Sequence, residues 1–424
     1  MHQLTTLPNG LRVISYHLPA VESVSACIFA GVGSRYEKRD EAGICHFIEH
    51  MLFRGTERRP ASCDISAAIE GIGGILNGGT DRESTVYWCK VAKDHLGDAL
   101  DVLADMLFHS RFSGEDIEKE RQVVIEEINM SRDNPSQWVG LMIDSLLWPG
   151  HPLGRDTAGS KKTVSAISRD MMLGYLERHY LPSNIVVAIA GGSTHHQAVA
   201  AVSKVLGNLS GPVKTSPGYR PYSPRTGKRM SVDRRDIEQV HLCLAMPGMS
   251  RLNPKRFAFD LLSSILGEGM SSRLFTEVRD RLGLAYNIYC CGEHLMDTGA
   301  LTIYAGVDPK NLSKTVKAIM EQLQRLRVEF IGEDELGKAK EMTKGHILLA
   351  MEDSRSVAGW IGAQELLTGQ VQTVDEVLAI IDAISSGVLR ELANEYICDS
   401  GFRLALVGPV NKKGLDSLLT LPAT

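Results

Sequence analysis

His46, Glu49 and His50 are the side chains best suited to chemistry in this sequence, and they fall together as His46-Phe-Ile-Glu-His50 inside an apolar run from Ile44 to Phe53. On an α-helix, positions i and i+4 share a face. Both imidazoles can therefore reach one cation, and Glu49, beside His50, lies close to the same edge. Neutral imidazole nitrogens suit zinc, which makes a bound water acidic enough to ionise near neutral pH, and a nearby carboxylate can take the proton. The pattern predicts a zinc-dependent hydrolase with His46 and His50 as ligands and Glu49 as base. So short a pattern also arises by chance, so the surrounding elements must support it. Asp40 and Glu41 offer an acidic helix start and Gly55 a stop.

A further protein ligand should come from a second helix with acidic residues on one face. The stretch from Ser113 to Asn129 predicts such a helix: Ser113 is a fit N-cap, Glu115 and Asp116 lie in the first turn, and Pro135 bars continuation. Glu120 and Glu127 are seven positions apart, close to two helical turns, so both carboxylates point the same way. One can bind the metal while the other supports it from outside. Glu126 competes with Glu127 for the ligand role. Cys45, next to His46, points about 100° away on the helix and reads as buried packing.

Several stretches resemble one known family. They are Leu7-Pro-Asn-Gly-Leu-Arg-Val, Ala30-Gly-Val-Gly-Ser-Arg-Tyr-Glu, His46 through Thr56, Gly73 through Tyr87, and Glu120-Arg-Gln-Val-Val-Ile-Glu-Glu-Ile. In this order they resemble the pitrilysin-family (inverzincin) zinc metallopeptidases, and within them the processing-peptidase branch that includes the mitochondrial processing peptidase and its bacterial relatives. The resemblance implies Glu127 as third metal ligand, with Glu120 supporting a ligand from outside.

In the C-terminal half, Leu266-Gly-Glu-Gly-Met-Ser-Ser-Arg-Leu-Phe and Arg279-Asp-Arg-Leu-Gly-Leu-Ala-Tyr286 are similar to further signatures of that family. The resemblance implies that Arg279 and Tyr286 hold substrate near the metal and that the tyrosine helps stabilise the oxyanion. A phenol and a guanidinium aimed at developing negative charge would lower the barrier. Between Gly73 and Tyr87, glycines that permit close backbone approach precede a β-type run, as expected of an edge strand that pairs with an extended peptide through the region of Asn77. Family members usually carry Asn-Ala here, where this chain has Asn77-Gly78. Chains of this length in the family form dimers. The resemblance thus implies a homodimer in which Arg279 and Tyr286 serve the partner subunit's metal site.

At 424 residues, 43% hydrophobic, the chain is long enough for two to four domains with cores of their own. A net charge of −5 is too mild for a nucleic-acid binder or a membrane-surface protein. The eight cysteines show no Cys-x-x-Cys spacing, which favours a reducing compartment. No apolar stretch of about 18 residues offers a membrane span. The N-terminus lacks both a secretory signal and an Arg-rich leader, so the expected location is the cytoplasm of a bacterium, unless a targeting segment has been removed.

The organisation along the chain is a duplication. Gly211 to Arg229 carries four prolines and three glycines without apolar periodicity and reads as a linker. On either side similar units recur: strands at Val24–Ala30 and Val240–Met246, helices at His46–Phe53 and Phe257–Leu266, strands at Val86–Val91 and Leu301–Ala305, and helices at Leu96–Leu107 and Leu312–Leu326. The second copy lacks His-x-x-Glu-His. The expected fold is α+β in two duplicated domains, each a mostly antiparallel sheet with helices packed on one face. Residues 1–210 form the metal-binding peptidase domain, 211–229 the linker, and 230–424 the domain that supplies Arg279 and Tyr286.

These observations predict a zinc endopeptidase, with one Zn²⁺ per chain, that hydrolyses extended or unfolded peptides in an enclosed chamber while Glu49 activates the metal-bound water. Manganese or cobalt would accept the same donors. The alternative is a non-catalytic structural or partner subunit of a processing-peptidase-like complex. A nucleotide-dependent enzyme is disfavoured, because Gly191-Gly-Ser and the other glycine clusters lack the Gly-x-x-x-x-Gly-Lys-Ser/Thr pattern.

Overall fold

Strands and helices follow from two periodicities in the sequence. Between Thr85 and Ala92 every second residue is buried, the mark of a strand with one face on a core. Between Gly114 and Asp133 the buried residues are Ile117, Glu120, Arg121 and Val124, spaced for one helix face. The computed structural model describes residues 2–209, 218–410 and 414–422. The first half contains β1 (Gln3–Thr6), β2 (Arg12–His17), β3 (Ser23–Ala30), α1 (Ile44–Leu52), α2 (Ser62–Glu70), β4 (Ile75–Thr80), β5 (Thr85–Ala92), α3 (Leu96–His109), α4 (Gly114–Asp133), α5 (Pro135–Leu147), α6 (Lys161–Ala166), α7 (Arg169–His179), β6 (Ile185–Gly191) and α8 (His195–Leu206). The second contains β7 (Met230–Arg234), β8 (Val240–Gly248), α9 (Arg256–Gly267), β9 (Ala285–His294), β10 (Gly299–Val307), α10 (Leu312–Val328), α11 (Glu333–Ala350), α12 (Ser354–Thr368), α13 (Val374–Ala383), α14 (Ser386–Tyr396) and β11 (Arg403–Gly408).

The duplication is written in the strand order. One sheet runs β1-β2-β6-β3-β5-β4 and the other β7-β11-β8-β10-β9. Apart from the extra β1, each strand of one sheet has a counterpart at the same place in the other. Both sheets are antiparallel except for one parallel pair, β2 with β6 and β7 with β11. The strands and helices expected at the eight repeat segments are all present. Of the expected linker, residues 211–217 lie outside the described residues, and 218–229 contain no helix or strand.

Two compact units carry these sheets, and each takes one segment from the far side of the linker. The first comprises 1–128, 155–220 and 348–373, and the second 129–154, 221–347 and 374–424. The limits 1–210 and 230–424 read from sequence follow the chain, whereas the units exchange α12 and α5. These two helices add to each sheet a layer on the face opposite the main group of helices. In the first unit, Val357, Ala358 and Ile361 of α12 pack on Val186, Ala188 and Ala190 of β6, while the alternate residues Ile185, Val187 and Ile189 face the larger core. This explains why β6 is buried along its whole length and reads as an unbroken apolar run. The approach is close: a Cβ on Gly362 would sit 2.3 Å from the Phe29 ring, so this position must be glycine. Each buried valine or isoleucine contributes about 1.5–3 kcal/mol. In the second unit α5 begins with Pro135 at its first turn, capped by the Asn134 side chain, and covers Ala405 and Val407 of β11.

Candidate metal and catalytic site

The two histidines stand on α1, which lies beside the edge strand β4 in the first unit. Ile44, Cys45, Phe47, Ile48, Met51 and Leu52 turn inward and leave His46, Glu49 and His50 on the remaining face. The His46 and His50 rings are 4.6 Å apart between centroids. Cys45 is buried, its sulfur 3.2 Å from Thr85 Oγ1, as the packing reading expects. The start of the helix differs from expectation. Neither Asp40 nor Glu41 caps it; the N-cap is Gly43, and the carboxylate that receives its free N–H groups belongs to Glu37.

Helix α4 supplies the carboxylates. Ser113 Oγ accepts from the Asp116 amide, so the expected cap is present. Glu127 Oε2 lies 3.7 Å from His46 Nε2 and 3.4 Å from His50 Nε2. Glu126, one position earlier, is exposed, which removes it from the cluster. Ligand atoms of His46, His50 and Glu127 all fall within 4.8 Å of one another, and among the described residues no other group of three or more such side chains does so. A tetrahedral ion with bonds near 2.05 Å would hold its ligand atoms about 3.3 Å apart, so the cluster needs only small movement to close on a divalent cation.

Outer partners orient this set. His50 Nδ1 lies 2.9 Å from Glu120 Oε2, which leaves Nε2 free to turn towards Glu127. Glu120 is 3% exposed and its other oxygen pairs with the Arg54 guanidinium, so the buried carboxylate is balanced on both sides. His46 Nδ1 is buried without a hydrogen-bond partner. Burial, assisted by the neighbouring His50, pulls the His46 pKa down to about 4, so its imidazole stays neutral and able to bind metal.

Glu49 neighbours the three converging side chains but is not one of them. Its Oε2 accepts from Thr80 Oγ1 at 2.8 Å. Burial raises its pKa, while the Thr80 hydrogen bond and His50 act in the opposite direction. A partly buried carboxylate with an elevated pKa is a better proton acceptor than a solvated one. The Asn77-Gly78 departure has a local reason. A Cβ on Gly78 would sit 3.1 Å from the Phe53 ring and 3.3 Å from Glu49 Oε1, a tight contact that glycine avoids beside Glu49.

Asn77 itself is exposed on β4, opposite Trp88 of β5, with its side-chain Oδ1 accepting from the Gly78 amide. β4 ends its sheet, and among the described residues no strand lies along its outer edge. In the second unit, Arg279 lies in a π-helical turn (Phe275–Arg281), its guanidinium 5.4 Å from the centre of the Tyr286 ring. Tyr286 opens β9 and is 79% exposed. Sequence reading missed Thr80, Arg54 and Glu37. Each lies within a stretch already singled out, but their partners are set by packing across the fold.

Two family models match this chain. The family model described as Insulinase (Peptidase family M16) matches residues 12–161, and the model for the Peptidase M16 inactive domain matches 166–343. This chain belongs to peptidase family M16. It is 36% identical over 423 residues to an uncharacterized zinc protease of Streptomyces coelicolor, covering 98% of this chain and 91% of that one. It is 34% identical over 404 residues to an uncharacterized zinc protease of Bacillus subtilis, covering 95% and 97%. Among solved structures, the crystal structure of a protease from Helicobacter pylori superposes with a TM-score of 0.91 at 25% identity, covering 96% and 99%. In this M16 chain His46, Glu49, His50 and Glu127 lie within the span of the first family model, and Arg279 and Tyr286 within that of the second.

Proposed function

We propose that this chain is a zinc-dependent endopeptidase acting on extended or unfolded peptides. The convergence of His46, His50 and Glu127 beside Glu49 carries the reading. Zinc, when bound, supplies a Lewis acid that polarises a carbonyl and makes water a nucleophile near neutral pH. His46, His50 and Glu127 would hold one ion per chain, and Glu120 fixes the ring of His50. Glu49 takes the proton of the attacking water and passes it to the leaving amine. The open edge of β4 near Asn77 receives the peptide as an added strand, a mode that recognises backbone more than side chains. A mixed peptide library incubated with the purified protein is expected to be cleaved, to survive when a chelator is present, and to be cleaved again on adding zinc. Protein that purifies without stoichiometric zinc and cleaves nothing would instead be a non-catalytic subunit.

Arg279 and Tyr286 complete the site as substrate and oxyanion contacts, supported by their proximity to each other and the exposure of the phenol. We assign them to the partner's metal centre in a homodimer enclosing one chamber. Mixing the inactive Glu49→Gln and Tyr286→Phe proteins under conditions of subunit exchange tests this. With composite sites, half of the dimers regain one intact site, so activity returns to about a quarter of wild type. If both elements of a site come from one chain, mixing recovers nothing. The expected place of action is the bacterial cytoplasm; among the described residues no helix is long and apolar enough to cross a membrane.

A further inference from the structure

The metal helix has no capping side chain of its own. Its N-cap, Gly43, has φ +94°, and a Cβ there would meet the Ala158 carbonyl oxygen at 2.5 Å. The serine, threonine or aspartate that usually caps a helix is therefore excluded at this position. Two N–H groups at the start of α1 are met instead by a carboxylate six residues upstream. Gly43 N–H donates to Glu37 Oε2 at 2.9 Å and Cys45 N–H to Glu37 Oε1 at 3.0 Å. Glu37 is 4% exposed, and its own backbone is held by Arg155, whose Nη2 donates to the Glu37 carbonyl oxygen at 2.7 Å. Burial raises the pKa of this carboxyl while the two amides pull it down, so the group is placed at an electrostatic cost.

Building on the metal-site reading, we propose that Glu37 is a positioning residue: it sets the start and rotation of α1, and with them the directions of His46 and His50. Both carboxylate oxygens are engaged, which fixes the helix end about more than one axis. His46 follows the clamped Cys45 directly. With only nine residues, α1 has little length over which a misplaced start could be absorbed. Glutamine at this position can accept from one amide but presents its NH₂ to the other, so one bond is lost and two donors face each other.

The test compares wild type, Glu37→Gln, Glu37→Asp and, as a control for general destabilisation, Val202→Ala, which hollows the same core far along the chain. Zinc affinity is measured by competition with a chelating dye, and ligand geometry by the visible bands of the Co²⁺-loaded protein. Glu37→Gln is expected to weaken zinc about tenfold, the lower end of the effect of altered outer partners, and to shift the cobalt bands. Val202→Ala should lower the melting temperature and change neither. Should Glu37→Gln fail to fold, Glu37→Asp carries the test, since its shorter arm reaches one amide only. Native zinc affinity and cobalt bands in the folded Glu37 variant, or equal changes in Val202→Ala, overturn the proposal alone. No zinc binding by wild type overturns the metal-site reading as well.

Discussion

Glu49→Gln is expected to keep its zinc and lose about 10²–10⁴-fold in kcat, the range associated with a positioned general base. The prediction rests on where Glu49 stands. It faces β4 and accepts from the Thr80 hydroxyl, while the three side chains that converge on the cation position are His46, His50 and Glu127. Glutamine has the same shape and can still accept from Thr80 through its carbonyl oxygen, so fold and metal content should be preserved. What it cannot do is take a proton. Metal analysis alongside single-substrate kinetics separates the two effects. A Glu49→Gln protein with full zinc and near-wild-type turnover would show that the base lies elsewhere.

Glu127→Ala should release the metal, whereas Glu126→Ala should leave metal content and activity unchanged. Glu127 brings an oxygen within 3.7 Å of one imidazole and 3.4 Å of the other, and Glu126 points to solvent. Removing one of three protein ligands should exceed the 10–100-fold affinity loss typical of altering an outer partner. Stoichiometry after gel filtration in zinc-free buffer reads this directly. A zinc-replete Glu127→Ala protein, or a zinc-free Glu126→Ala protein, would reverse the assignment of the third ligand.

The two halves of the site differed in how far they could be read beforehand. The i, i+4 spacing of His46 and His50 and the seven-residue spacing of Glu120 and Glu127 are local properties of a helix, so any helix containing them presents them on one face. The outer contacts are another matter. Glu49 meets Thr80 across 31 positions and His50 meets Glu120 across 70, distances over which sequence carries no periodic signal. The choice of Glu37 over Asp40 and Glu41 as cap was equally out of reach, because it depends on how the chain from Ser34 to Gly43 doubles back and on the Ala158 carbonyl that makes Gly43 obligatory.

By itself the amino-acid order determined the two helices that carry His46, His50 and Glu127, the alternation of the core strands and the repetition of one α+β pattern on both sides of a proline-rich stretch. All three arise from interactions within a few residues of each other, which hydrophobic periodicity records. Only the tertiary structure decided that Glu127 rather than Glu126 turns to the histidines, that Thr80 and Arg54 pair with Glu49 and Glu120, and that α5 and α12 each cover a sheet from the far side of the linker. An apolar helix face specifies that it must be buried, but burial is non-directional. Which sheet receives it is settled by shape, as where Gly362 lets α12 close on Phe29 and Ala188.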